Sequence, residues 1–382
     1  MKSIFIIGFS PLHRDPRVKR QVKILMDSYK ITCAGFTDID EQNVEFWPIK
    51  ISPISRFKKI RAAIYLITRQ YRKYYWQRKE IVPLYKSWQN KGCPKFDLII
   101  ANDIETLAVA LEIARGCPVL FDAHEYSPQQ SNSILWRRLR APFVDWLCRS
   151  YLKQATLFST VNASLSREYE REYGKKSIII YSAPMYRELE PGLTGDKKIR
   201  LVHHGVTASQ RGLEEIINLL SYLDDRYTLD LYLMTHGDES ERYLAELKSQ
   251  ALKFGSRVVF REPVPTDQLP EALNQYDIGV ALIQPRNFNY ANCLPNKFFE
   301  FIQARLVLAA GPTPDMKKLI ETFDLGIVSA DFSAKSLAEK ISCLSVDDIN
   351  SIKHKLHDSA DTLSFHESGK LLLKSAQEIT GD

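Results

Sequence analysis

No apolar run in the 382-residue sequence approaches the roughly 18 residues that a spanning helix needs, so a helix crossing a bilayer is not expected. The opening MKSIFIIGFSPLHRD has one lysine and a short apolar run that soon meets Ser10, Pro11 and charges, with no small-residue cleavage site. It reads as a first β-strand rather than a secretory signal. Cys33, Cys93, Cys117, Cys148, Cys293 and Cys343 stand singly, without a Cys-x-x-Cys pair or a histidine at zinc spacing; reduced thiols in cytosol are the expectation. A Walker loop, a G-x-G-x-x-G after the first strand, a G-x-S-x-G elbow and an H-E-x-x-H helix are all missing, and nicotinamide and ATP readings lose support. Asp38-Ile39-Asp40 spells the metal-binding D-x-D, but it follows a second strand as an ordinary acidic loop, and no metal is expected there.

What is present is an ordinary globular composition, 45% hydrophobic and 26% charged, on a chain long enough for two domains. Short β-branched runs alternate with helical patterns from end to end, the signature of βαβ units and parallel sheets. The strand candidates in the first half are 4–8, 31–36, 98–101, 119–121, 157–161 and 178–181. In the second half they are 200–204, 229–234, 258–260, 278–283, 306–310 and 326–328. Between the halves SAPMYRELEPGLTGDKK, with two prolines and two glycines, breaks both periodicities and reads as a linker. The expected plan is a first domain over 1–184, a linker over 185–198, a second domain over 199–345 and helices over 346–382 that either close the second domain or reach back to the first. Two such α/β halves imply ligand sites at the carboxyl ends of their strands, across a cleft.

Two constellations in the second half carry chemistry. Asn296 after Pro295 is a plausible N-cap of a helix whose N-terminus favours anions, and Glu300 lies one turn inside among Phe298, Phe299, Phe301 and Ile302. A buried carboxylate there needs donors, which a ribose diol supplies; a glutamate paired with a surface lysine or arginine fits the same pattern. The run LVHHG, then TASQRGL, places a small polar loop and Arg211 after a strand, suited to a phosphate or to an exposed arginine opening a helix. In the first half, VLFDAHEY runs a strand into Asp122, His124 and Glu125, where a histidine suits a sugar hydroxyl or acid/base work, or a structural role. The first strand ends near His13 and Arg14, ahead of Asp15 and Pro16, which look like an N-cap and first helical residue.

Residues 56–79, RFKKIRAAIYLITRQYRKYYWQRK, hold nine Lys or Arg, no acid and six aromatic residues. The segment suits an anionic membrane surface, or a solvated basic helix, and no nucleic-acid module accompanies it.

Taken together, DPRVKRQ, FDAHEYSP, HHG with RGLEEII, and PNKFFEFIQA before LVLAAGP resemble, over nearly the whole chain, the bacterial retaining glycosyltransferases of GT-B type, family 4-like. The resemblance implies two Rossmann-like domains facing across a cleft, an acceptor domain followed by a nucleotide-sugar donor domain, and transfer without a metal or other cofactor. Glu300 matches the glutamate that holds the donor ribose, Arg211 the basic residue on the diphosphate, and His124 the histidine near the transferred sugar. Gly205, Asn296 and Lys297 fall in the donor loops, and His13 and Arg14 on the acceptor side. Two positions depart from the family pattern: Asn292 stands where the first glutamate of a pair is expected, and Val206 where an arginine follows the glycine of the phosphate loop. Asn292 is expected to hydrogen-bond a sugar hydroxyl instead. The expected donor is a UDP- or GDP-sugar, and the acceptor a glycan or lipid-linked sugar in surface polysaccharide synthesis. The expected place is the cytoplasm, peripherally on the inner face of the cell membrane. A non-catalytic sugar-nucleotide-binding homologue and a sugar-nucleotide epimerase are the alternatives.

Overall fold

In the computed structural model, which describes residues 1–381, the β-branched runs pair into two separate, wholly parallel sheets. The first sheet contains β1 (Ser3–Ile7), β2 (Lys30–Gly35), β3 (Glu45–Pro48), β4 (Leu98–Asn102), β5 (Val119–Ala123), β6 (Leu157–Thr160) and β7 (Ile178–Ile179), in the order β3-β2-β1-β4-β5-β6-β7. The second contains β8 (Ile199–Val206), β9 (Tyr227–Met234), β10 (Val258–Arg261), β11 (Ile278–Ala281), β12 (Val307–Ala310) and β13 (Gly326–Val328), in the order β10-β9-β8-β11-β12-β13. Helices separate consecutive strands within each sheet except β2 and the edge strand β3, which the loop of residues 36–44 joins. The central strands are buried on both faces, which is why they read as unbroken apolar runs.

One strand escaped the sequence pattern. β3 is short, lies at the sheet edge and contains Glu45 and Pro48, so it has neither the apolar content nor the donors of a central strand. Its Trp47 nevertheless packs on Phe5 with ring centroids 4.8 Å apart.

The chain divides into two compact units, one of Met1–Tyr181 with the residues from Ser368 onward, the other of Ser182–Glu367. The last helix, Phe365–Thr380, therefore begins in the second unit and ends in the first, where Tyr29 Oη lies 3.2 Å from Thr380 Oγ1. The stretch 185–198 belongs to the second unit and is held to it by buried cations. Arg305, buried at a φ of +60°, donates to the carbonyl of Arg187 at 2.7 Å, and Lys353 donates to the carbonyl of Gly192 at 2.7 Å. Lys353 also meets the buried Asp277 at 3.0 Å, together with the Thr194 hydroxyl at 2.7 Å and the guanidinium and backbone N–H of Arg200. Burial opposes ionisation of Asp277, but these donors keep its carboxyl below the usual range.

Each sheet changes direction beside its first strand, between β1 and β4 and between β8 and β11. At such switch points the connecting loops diverge and leave a crevice at the carboxyl ends of the strands. In the second unit one wall of that crevice is the helix Asn296–Gln303, which seats Phe301 directly on β11 at Gly279, where a methyl group would lie 2.4 Å from the ring. Gly279→Ala is expected to force this helix off the sheet and to cost about 1–3 kcal/mol of stability. Urea titration should show a lower midpoint at unchanged slope; an unchanged midpoint would mean that the helix is not seated through this contact.

Candidate functional site

In the second unit the switch point is lined by polar groups that interrupt an otherwise apolar strand. β8 ends in His203, His204, Gly205 and Val206, and the first two imidazoles are buried, at 1% and 5% exposure. His203 Nδ1 lies 2.8 Å from the carbonyl oxygen of Val280 on β11. A carbonyl only accepts, so Nδ1 carries the proton and Nε2 presents a lone pair. Lys297 Nζ donates to that lone pair at 3.0 Å. Burial, and then the positive charge of Lys297, hold the proton affinity of both histidines well below the ordinary value, and both rings are neutral.

Lys297 itself is only 5% exposed. Burial and the nearby Arg211 push its pKa well below that of a free lysine, and Glu300 opposes them. The pocket thus contains two cations against one carboxylate, an excess that an incoming anion would relieve. Beside both cations lies Gly205, whose φ of +141° favours glycine. A methyl group on it would sit 3.2 Å from Lys297 Nζ and 3.6 Å from Arg211 Nη1. Arg211 reaches this point from a tight turn, Ser209–Arg211, between β8 and the helix Leu213–Asn218.

Glu300 lies one turn into the helix Asn296–Gln303, its Oε2 3.2 Å from His204 Nε2 but out of line for a ring N–H hydrogen bond. Phe301 meets the His204 ring edge-on at 5.2 Å between centroids. At the same sheet edge the hydroxyls of Thr207 and Thr313 are buried without a protein partner. Buried orphan hydroxyls are rare, and here they add two polar groups to the crevice. Asn292 closes the short helix Phe288–Ala291, and its Nδ2 donates to the Phe288 carbonyl at 2.9 Å, so its amide nitrogen serves the local turn. Next to it, burial pushes the Cys293 thiol up to about 12, so that thiol is not a nucleophile at neutral pH.

One expectation is corrected here. Asn296 is not the N-cap: Pro295, at extended φ and ψ of −77° and 156°, occupies that position with no side-chain cap, and Asn296 is already helical. Proline pre-sets its own extended geometry, so the boundary falls one residue earlier than the capping pattern suggests.

The first unit carries its own polar cluster at the β1/β4 switch point. Asp15 caps the helix Pro16–Leu25 by accepting from the N–H groups of Arg17 and Val18, as its place before Pro16 predicts. Asp122, at the end of β5, accepts from Ser159 Oγ at 2.6 Å and Gln21 Nε2 at 2.8 Å, and lies 3.0 Å from His124 Nε2. Burial would raise its pKa, but His124 and Arg17 hold the carboxyl ionised. His124 is thereby oriented by a buried carboxylate that is itself fixed, an arrangement suited to acid/base or hydrogen-bonding work. His13 Nδ1 lies 2.7 Å from Thr37 Oγ1, and Arg14 beside it is exposed.

Sequence reasoning missed Arg17 and Gln21. Arg17 is clamped between Asp15 and Asp103, 3.1 Å from the latter, and Asp103 adopts a φ of +68° at the end of β4. Gln21 is buried and bridges Asn102 and Asp122. The available signal was their spacing of four residues, which stacks both on the helix face beneath the sheet edge.

No family model matches the chain, and no curated protein sequence does. Solved structures do. HepE from Anabaena in complex with UDP-glucose superposes with a TM-score of 0.72 at 14% identity, over 99% of this chain and 100% of that one. Sucrose-phosphate synthase from Thermosynechococcus elongatus gives 0.74 at 12% identity over all of both chains. A glycosyltransferase from Rickettsia africae gives 0.68 at 12% identity, over 99% of this chain and 98% of that one. The likeness establishes the fold, and the GT-B architecture expected from the sequence is the one observed.

The neutral histidines make a prediction about acid. Unfolded histidine titrates near 6.5, so below about that pH the unfolded chain binds protons that the folded chain refuses. Stability then falls by about 1.4 kcal/mol per pH unit for each such histidine. Denaturation curves between roughly pH 7 and 5 should show this slope reduced by one proton in His203→Gln. An undiminished slope would mean that His203 is protonated in the folded protein.

Proposed function

We propose that this chain is a glycosyltransferase that moves a sugar from a nucleotide-diphosphate sugar, with retention and without a metal, to a glycan or lipid-linked acceptor in surface polysaccharide synthesis. The observation that carries the proposal is the convergence of Lys297 and Arg211 on Gly205 at the β8/β11 switch point, in a pocket with more positive than negative charge. Backbone without a side chain, two cations and a sheet edge together suit a diphosphate. HepE is described in complexes with UDP, with UDP and glucose, and with UDP-glucose, which favours a UDP-sugar over a GDP-sugar here.

In this reading Arg211 and Lys297 neutralise the diphosphate as it departs with the electrons of the glycosidic bond, the charge compensation that a divalent cation supplies in other sites. An anion beside Lys297 also favours its ammonium form, which burial and Arg211 oppose. Glu300 accepts from the two ribose hydroxyls, and Asn296 extends the donor loop. To Asn292 we assign recognition of the transferred sugar; to His124, oriented by Asp122, a hydroxyl-binding or acid/base role in the first unit; and to His13 and Arg14 the acceptor side. For retention we take attack from the face that the diphosphate leaves, without a covalent enzyme intermediate. The acceptor hydroxyl proton passes to the departing phosphate oxygen. The acceptor is met at the cytoplasmic face of the cell membrane.

Asn292 in place of a family glutamate, and Val206 in place of an arginine, favour a second reading, a homologue that binds the nucleotide sugar without transferring it. Turnover of UDP-glucose over an acceptor pool separates the two.

Lys297→Met and Arg211→Ala should each weaken UDP-glucose binding about 10- to 100-fold, the loss of one or two charge-assisted bonds. Glu300→Gln should lower affinity for UDP-glucose more than for inorganic pyrophosphate. Calorimetric titration measures both, and a chelator should leave transfer unchanged. Wild-type affinity in both cation variants would remove the diphosphate from this pocket.

A further inference from the structure

The segment 56–79 folds in two different ways. Its second half turns its aromatic residues inward and leaves Arg72, Lys73 and Lys79 exposed: Tyr75 donates to the Glu105 carbonyl at 2.9 Å, Arg78 pairs with Glu105 at 2.7 Å, and Tyr71 packs edge-on against Phe143. These aromatic rings are therefore not available to a lipid surface, contrary to the simplest view of the sequence. The first half is the reverse. The helix Arg56–Ile67, capped by Ser55, has no buried residue. Its protein-facing side is thin, with Ala62, Tyr65 and Leu66 only half-buried. Its more apolar side points away from the protein: Phe57, Ile60, Ile64 and Ile67 are 86%, 51%, 50% and 64% exposed. Their spacing of three, four and three residues makes a single stripe. Ile134 and Leu135 are also exposed, at 72% and 70%, just before the turn Trp136–Arg140, which packs against this helix.

We propose that the helix Arg56–Ile67 is an interfacial anchor that inserts the Phe57, Ile60, Ile64 and Ile67 stripe into an anionic bilayer, with Ile134 and Leu135 entering beside it. A stripe of large apolar side chains held outward by a helix that buries nothing has no folding purpose, and such patches mark interaction surfaces. The charge selects the partner. The helix and its immediate C-terminal turn carry Arg56, Lys58, Lys59, Arg61 and Arg69 and no acid, and Arg137 and Arg138 follow Leu135. A second copy packed about a two-fold axis would set these like charges against each other, whereas an anionic headgroup layer is complementary to them. The geometry is that of a helix lying in the interface plane, apolar side down and basic side chains level with the phosphates. It specifies where the chain meets a membrane and rests on the helix alone, so it stands or falls independently of the glycosyl-transfer reading.

The test is co-sedimentation of the full chain with phosphatidylcholine vesicles, with and without roughly one-third phosphatidylglycerol. The wild type should pellet with the anionic vesicles only. The triple change Phe57→Gln, Ile60→Gln and Ile64→Gln, which keeps good helix formers on an exposed face, should reduce partitioning at least about 100-fold. Lys58→Glu, Lys59→Glu and Arg61→Glu together should reduce it by about fivefold or more per position and abolish its salt dependence. Phe57→Trp, which preserves the stripe, should bind as wild type. Unchanged melting temperatures and UDP-glucose affinity report that the variants are folded. Wild-type partitioning by the glutamine variant overturns the proposal. So does a concentration-dependent dimer, seen by light scattering, that the glutamine variant dissolves while vesicle binding is absent throughout.

Discussion

The second unit is organised around a buried lysine whose hydrogen-bond partner is an imidazole rather than a carboxylate. Lys297 donates to His203, and His203 accepts only because its other nitrogen is committed to the Val280 carbonyl across the strand pair β8/β11. The relay therefore needs both strands in register, a neutral ring and the helix Asn296–Gln303 seated on the sheet through Phe301. Because a histidine cannot neutralise an ammonium, the charge of Lys297 is satisfied as a donor but not balanced as a cation. Arg211 adds to the imbalance, and Glu300 offsets one charge of the two. A buried positive excess beside a glycine is an arrangement that an anion would balance.

The first unit solves a different problem with the same topology. Its switch point is acidic at the centre, with Asp122 ionised and saturated by Gln21, Ser159 and His124, and Arg17 closing the ring toward Asp15 and Asp103. Such a saturated network fixes side chains rather than awaiting charge, and it suits orienting neutral hydroxyls. The two units thus differ in charge at the switch point, a positive excess in one and a saturated acidic network in the other, although both are parallel sheets with the same kind of edge.

The fold was largely legible because parallel strands buried on both faces leave unbroken β-branched runs, and twelve of the thirteen strands announced themselves that way. β3 did not, since an edge strand with Glu45 and Pro48 lacks the pattern. Of the site, Arg211, Lys297, Glu300 and Gly205 were visible as charges and a glycine at loop and helix starts, but their convergence depends on the β8/β11 crossing, which no local pattern encodes. His203, within the run LVHHG, was given no role of its own because a histidine inside an apolar strand looks like core. Arg17 and Gln21 were hidden for the opposite reason, as polar residues on a helix that looks solvated until its inner face is known. In 56–79 composition suggested one continuous basic and aromatic surface, whereas packing divides it at Gln70 into an exposed helix and one that buries Tyr71 and Tyr75.

The central claim is that Gly205, Lys297 and Arg211 form a diphosphate pocket, and a crystal structure of the protein with UDP tests it most directly. The account predicts phosphate oxygens within about 3 Å of both Lys297 Nζ and the Arg211 guanidinium, beside Gly205. UDP bound elsewhere, or held without contact to either cation, would contradict it.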